Sequence, residues 1–311
     1  GFFMAKKENK FKGYDISTQA VHTGVAYDAE TGAVRRPLHM ANSYKLPDDL
    51  SKVNYSSTDL LMYARNGNPN QHWLEEKVAA LHGADDAIVL GSGVAALHAL
   101  FWTLLKTGDR IVYPKVSYMA VYRLFHELFN RKFGVETVMV DMTDLEAVKK
   151  AITPGTRLVH IETPDNPTDG ISDIAAIAKI AHENGAVLSV DNTFASPLNQ
   201  HPLDFGADFV VESLTKYING HGDAQGGAII STTWRRWTGF AMKPRSMSAL
   251  SSVPSMPGRS SAVPSPSLCG WNASMRRRKK SQNGWNSAKT SRSFPIPACP
   301  ATLATNWPKS R

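Results

Sequence analysis

Cysteine is missing from the first 231 residues; both of the chain's cysteines, Cys269 and Cys299, lie beyond them. That absence excludes a disulfide, a cysteine metal site and a thiol nucleophile from residues 1–231, and it suits a reducing cytoplasm. Long hydrophobic runs are missing as well. No apolar stretch reaches the ~20 residues of a membrane-spanning helix, and Gly1-Phe2-Phe3-Met4 is too short for a secretory leader, so Met4 reads as the natural start. Acidic residues are absent from 232–311, which hold 14 Lys and Arg and no Asp or Glu. The formal charge of +8 therefore belongs to that tail, because residues 1–231 carry 21 basic against 27 acidic groups. The main part of the chain reads as a mildly acidic domain with no electrostatic footprint for nucleic acid or a membrane surface.

What is present from residue 71 onward is a regular alternation. Trp73, Leu74, Val78 and Leu81 lie on one helical face. A short apolar strand over 87–90, the turn Gly91-Ser92-Gly93 and an apolar helix over 94–105 follow. Strands are predicted over 110–113, 136–140, 157–162, 186–190, 209–212 and 228–230, with helices over 118–129, 144–151 and, capped by Asp173, up to Glu183. Strands alternating with helices at this spacing predict an α/β domain with a mostly parallel sheet covered on both faces. Sites in such sheets lie at the carboxyl ends of strands. Residues 1–70 show little periodicity and many turn formers, and read as an extended N-terminal arm. Within it, Tyr63 and Arg65 stand two apart, which on an extended chain puts both on one side, able to grip one anion.

The strand ends carry the chemistry. Asp191 ends the apolar run over 186–190, and Lys216 follows the strand over 209–212, with the hydroxyls of Ser213 and Thr215 just before it. Lysine is the side chain that condenses reversibly with an aldehyde, and a carboxylate beside a pyridine nitrogen keeps that nitrogen protonated. The turn at Gly91–Gly93 places free backbone amides and a helix dipole at one point, a site for phosphate. Either Asp191 or Lys216 alone is more often a cap or a surface charge. Together with Ser213, Thr215, Gly220 and Gly222 they read as a centre for pyridoxal 5'-phosphate. The same turn also fits the dinucleotide pattern G-x-G-x-x-A over 91–96, which leaves an NAD(P)-binding oxidoreductase as the competing reading, although Ile111-Val112-Tyr113-Pro114-Lys115 supplies no acid to hold a ribose.

Between about Gln19 and Ile230 these motifs resemble the cysteine/methionine-metabolism pyridoxal-phosphate enzymes, the transsulfuration group of cystathionine synthases and lyases, methionine lyases and homoserine sulfhydrylases. The resemblance implies an aspartate-aminotransferase-like (fold type I) large domain and a homotetramer built as a dimer of dimers. It implies β- or γ-elimination or replacement on small sulfur-containing or homoserine-derived amino acids. Residue by residue it implies that Lys216 carries the cofactor and moves protons, and that Asp191 pairs with the ring nitrogen. Tyr118 would stack on the ring; Gly93, Val94, Ser213 and Thr215 would hold the phosphate; Asn166 and Thr193 would be polar neighbours of the ring. Tyr63 and Arg65 would reach the phosphate in a partner subunit. Three departures stand out: Met119 and Ala120 after the tyrosine, where the family has two glycines or glycine and cysteine; Gly222 in place of a serine; and the end of the motif likeness after Ile230.

Residues 232–311, with nine prolines and no acids, lack any strand–helix rhythm. The stretch Ile296-Pro297-Ala298-Cys299 and its continuation to Lys309 can be encoded so that a shifted frame reads Y-P-G-L-P-S-H-P-G-H-E-L-A-K, which resembles the family's downstream sequence. The organisation expected is therefore an arm (1–70), a cofactor-binding large domain (71–231) and an out-of-frame tail (232–311) in place of a small C-terminal domain. Without that domain's substrate-binding arginine the chain is expected to be inactive, or a non-enzymatic fragment; arginines such as Arg276 have no packed element to aim them.

Overall fold

In a computed structural model, the structure describes residues 11–232 apart from 12, 47, 50, 52–60 and 66. The tail beyond residue 232, with Arg276 and both cysteines, and the first ten residues with Met4 lie outside the described residues. In chain order the elements are α1 (Ile16–His22), α2 (Pro69–Leu81), β1 (Asp86–Leu90), α3 (Gly93–Leu104), β2 (Arg110–Pro114), α4 (Met119–Tyr122), a π-helical stretch (Arg123–Asn130) and α5 (Arg131–Phe133). There follow β3 (Glu136–Val140), α6 (Leu145–Ala151), β4 (Thr156–Glu162), α7 (Ile174–Glu183), β5 (Val187–Asp191), α8 (Ser196–Asn199), a 3₁₀ turn (Pro202–Phe205), β6 (Phe209–Glu212) and β7 (Gly227–Ser231).

The strands form one seven-stranded sheet in the order β1-β7-β6-β5-β4-β2-β3. The pairs β2/β3, β2/β4, β4/β5 and β5/β6 are parallel, and β7 runs against both its neighbours. Helical connections between parallel strands force this arrangement, because a tight hairpin can join only antiparallel ones. The mostly parallel sheet covered on both faces is the architecture the strand–helix rhythm predicts.

Alternation along each strand sorts the core into two faces. Ile88, Leu90, Leu158, Val187, Phe209 and Val211 pack with α3 and the π-helical stretch. The intervening residues face the other way: Val159, Ile161, Leu188 and Val190 pack with α6 and α7, while Ala87, Val89 and Val210 pack under α2. Within α3, Leu97, Leu100, Phe101 and Leu104 are buried, each contributing roughly 1.5–3 kcal/mol by leaving water. Side chains that alternate this way put Leu158, His160 and Glu162 on the α3 face, together with Val187, Ser189 and Asp191.

Two expectations need correction. The arm is not wholly extended, since it forms α1, capped by Asp15, whose carboxylate accepts from the Ser17 N–H at 2.8 Å. It is held on α2 by the buried Lys77 Nζ, which donates to the Ala20 carbonyl at 2.6 Å; burial pulls that ammonium down to about 8. The helix predicted over 118–129 is helical but widens into a π-helical stretch from Arg123, and Phe125 and Phe129 both pack against Phe101. No helix among the described residues is long and apolar enough to cross a membrane.

Phe101 is fully buried and its ring lies 4.4 Å from Phe125 and 5.1 Å from His160. Phe101→Ala is expected to cost about 3–5 kcal/mol, read as a lowered urea midpoint with little change in the slope of the transition.

Candidate active site

Parallel register sets the centre of the site. Glu162, last in β4, stands directly opposite Asp191, last in β5, so two carboxyls share one face across a single inter-strand spacing of about 4.8 Å. Asp191 is buried, and its Oδ1 accepts from the Thr193 backbone N–H at 3.0 Å and from the Thr193 hydroxyl at 2.6 Å. Burial raises the Asp191 carboxyl above the usual range, and the two Thr193 bonds pull against that rise. The Thr193 oxygen in turn accepts from the Ser213 N–H at 2.8 Å. One hydroxyl thus ties the end of β5 to the turn that follows β6.

On the other side of that turn stands the N-terminus of α3. Ser92 caps the helix by accepting from the Ala95 N–H at 3.1 Å. The Ala96 N–H bonds the Ser92 carbonyl, so Gly93 and Val94 present the amides that no helical carbonyl can reach. Gly93 is glycine for a spatial reason: a Cβ there would lie 2.8 Å from the Ser213 Cβ and 3.0 Å from its Oγ. Gly227 passes equally close beneath, where a Cβ would meet the Ser92 carbonyl oxygen at 2.1 Å. The two glycines thus let the start of α3 pack directly against β7 and the Ser213 turn, which sets the first amides of the helix beside the Ser213 side chain.

Lys216 projects from the same turn, exposed to solvent, with its N–H on the Ser213 carbonyl at 3.2 Å. Thr215 is engaged differently: its hydroxyl donates to the Gly226 carbonyl at 3.2 Å and accepts from the Gly226 N–H at 3.1 Å, which closes the loop that carries Lys216. Tyr118 caps the start of α4 and leaves its side chain 46% exposed, and Asn166 lies half-buried in the loop after β4. The residues expected around one ring are therefore gathered at the carboxyl ends of β2, β4, β5 and β6. Tyr63 and Arg65 are not among them. Tyr63 pairs with Ser43 in an isolated antiparallel bridge, and the Arg65 guanidinium sits 5.0 Å over the Tyr63 ring, with no contact to the site among the described residues.

Sequence reasoning missed Glu162 beyond its place as a strand end. Its Oε2 accepts from the Tyr118 N–H at 2.7 Å and its Oε1 from the Asn166 N–H at 3.1 Å. Burial first, and then the charge of Asp191, push its carboxyl up to about 8. The only signal in the sequence is an acid placed directly before Thr163-Pro164, where the strand must stop. A further carboxyl, Glu212, belongs to the opposite face. It accepts from the Asn192 side chain at 3.0 Å and lies 3.4 Å from His82; burial raises the acid well above its ordinary range and lowers His82 to about 3.

The family model described as Cys/Met metabolism PLP-dependent enzyme matches residues 17–254, past Ile230 where the motif likeness ends. A canavanine gamma-lyase of Pseudomonas canavaninivorans is 48% identical over 229 residues, covering 74% of this chain and 57% of that protein. An L-methionine gamma-lyase of Pseudomonas putida is 36% identical over 230 residues, covering 72% of this chain and 56% of that protein. Among solved structures, a cystathionine gamma-lyase from Lactobacillus plantarum complexed with L-serine superposes with a TM-score of 0.74 at 32% identity, over 88% of this chain and 69% of its own. The chain spans little more than half the length of these curated relatives. The match removes the dinucleotide-binding alternative for residues 91–96: that turn serves instead to cap α3 and to bring Gly93 against Ser213. With its aspartate-aminotransferase-like sheet and a family match over most of its length, the chain belongs to the Cys/Met metabolism PLP-dependent enzymes.

Proposed function

We propose that residues 71–231 are the pyridoxal-phosphate-binding domain of a lyase or transferase acting at the γ- or β-carbon of a small amino acid. The observation that carries this reading is the continuous linkage from the α3 N-terminus through Gly93, Ser213 and Thr193 to Asp191, with Lys216 exposed on the same turn. These residues fit the cofactor. The close approach of Gly93 to Ser213 brings the first amides of α3 and a hydroxyl together as donors a phosphate could use, and the buried Asp191 carboxyl is one whose lost hydration a cationic ring nitrogen would offset.

Pyridoxal phosphate, when bound, supplies an electron sink that acidifies the substrate α-carbon. The remaining work falls to the chain. Lys216 would hold the cofactor through its amine and could take and return the proton at the substrate α-carbon. Asp191, fixed by both Thr193 donors, keeps the proton on the ring nitrogen. Gly93 and Val94 amides, with Ser213, receive the phosphate; Thr215 adds its hydroxyl or holds the loop through Gly226. Tyr118 would stack on the ring, and Asn166 and Thr193 would be its polar neighbours. Tyr63 and Arg65 serve the phosphate of a second subunit, which makes the working form a homo-oligomer.

Within this class, γ-elimination is favoured, because the relative at 48% identity and the one at 36% are both named gamma-lyases. Canavanine thereby joins cystathionine, methionine and acyl-homoserines as a candidate substrate, one that the motif resemblance did not suggest. We read the acid-free stretch 232–311 as out of frame from a point within it. The nucleotide sequence across this junction should contain a single-base insertion or deletion, and an unbroken frame shared with an active homologue would refute it.

Borohydride reduction of the cofactor-loaded 311-residue chain should fix pyridoxyl mass on the peptide containing Lys216. Lys216→Ala should abolish both the label and the absorbance of the lysine-bound cofactor. Label on another lysine, or none on a folded chain, would remove the reading.

A further inference from the structure

Glu162 plays no part in the assignments above, yet it is bonded to two residues that do. Tyr118 and Asn166 come from different segments, the connection from β2 into α4 and the loop after β4. Each is anchored by its backbone N–H to a different oxygen of the same buried carboxyl, at 2.7 Å and 3.1 Å. Tyr118 makes no side-chain capping bond of its own at the start of α4.

A purely architectural role accounts poorly for a carboxylate at this point. Placing it opposite Asp191 in register brings two acids together in a buried setting, an arrangement that costs free energy and drives Glu162 up to about 8. What glutamate offers in return is two oxygens on one rigid plane that can both accept, as the carboxylate or, when protonated, through the lone pairs left on the hydroxyl oxygen, so that it can hold two N–H groups at a fixed separation; glutamine has one acceptor and would turn an NH₂ toward the second amide. We propose that Glu162 is a positioning residue for the cofactor, a two-pronged acceptor that sets the distance between the ring-face residue Tyr118 and the ring-edge residue Asn166 by holding both backbones. This inference rests on the reading that pyridoxal phosphate binds at this face of the sheet.

The test is equilibrium binding of pyridoxal phosphate to the full 311-residue chain, followed by the absorbance and the visible circular dichroism of the lysine-bound cofactor. E162Q should bind about tenfold more weakly and show a diminished visible dichroic band. The far-ultraviolet spectrum of the cofactor-free chain should stay as in the wild type. In a Tyr118→Ala/Asn166→Ala background the same change should alter binding by no more than about twofold, because the groups through which Glu162 acts are gone.

Equal losses in both backgrounds, or wild-type affinity and dichroism in E162Q, would overturn the inference and leave Glu162 an architectural residue. If E162Q does not fold, E162D, which keeps two acceptors on a shorter stem, enters the same cycle: a loss confined to the wild-type background supports the inference, and equal losses or none overturn it. A folded wild-type chain that takes up no pyridoxal phosphate would overturn the proposed function and this inference together, whereas failure confined to the cycle overturns the inference alone.

Discussion

The site depends on one register. Because β4 and β5 run parallel with Glu162 opposite Asp191, the last residues of both strands carry acids on the same face, under the helix whose N-terminus begins at Gly93. A slip of one residue in either strand would send one carboxyl to the α7 face and leave the other alone. The hydrophobic residues behind them fix that register, since Leu158 and Val187 must face α3 while Val159 and Leu188 must face α7. Core packing and site geometry are thus set by the same alternation.

Two unlike environments follow from this arrangement. Asp191 and Glu162 are both raised by burial, but their hydrogen bonds point to different tasks: Asp191 is tied to the neighbouring turn through Thr193, while Glu162 reaches back to the start of α4 and forward to Asn166. On the opposite face, the buried Glu212, close to His82, accepts from Asn192, which through Gln200 is linked to the Thr163 carbonyl behind the Asp191 end of β5. Polar groups packed on both sides of the strand ends hold the loops of the site without any covalent link.

Much of this was legible in the sequence. Strands such as Val187–Asp191 and helices with capping acids, Asp144 and Asp173 among them, announce themselves by apolar pattern and N-cap chemistry. Asp191, Lys216 and the Gly93 turn could be placed because strand ends and glycine turns leave local signals. Helix α1 could not, because seven residues with one buried side chain carry no period, and its position depends on a lysine far along the chain. The two acceptor bonds of Glu162 were equally hidden: they follow from a parallel neighbour and from a backbone amide 44 residues upstream, neither of which a local pattern encodes. The pairing of Tyr63 and Arg65 on one side of the arm was readable, but a destination in a second subunit is not a property of one chain's contacts.

The claim on which the account rests is that Glu162 and Asp191 form an interacting pair held on one face of the sheet. Selective carboxyl-carbon labelling and nuclear magnetic resonance of the cofactor-free chain across the pH range measures this directly. Glu162 should titrate near pH 8, far above the ordinary 4.5, so that the folded chain holds a proton there which the unfolded chain gives up at lower pH. Its share of stability should then be present below about pH 4.5 and lost as the pH rises through about 8. Asp191→Asn should move the Glu162 midpoint downward, since the Asp191 charge, one cause of its rise besides burial, is removed. Titration of Glu162 in the ordinary carboxylate range, unaffected by Asp191→Asn, would contradict the account.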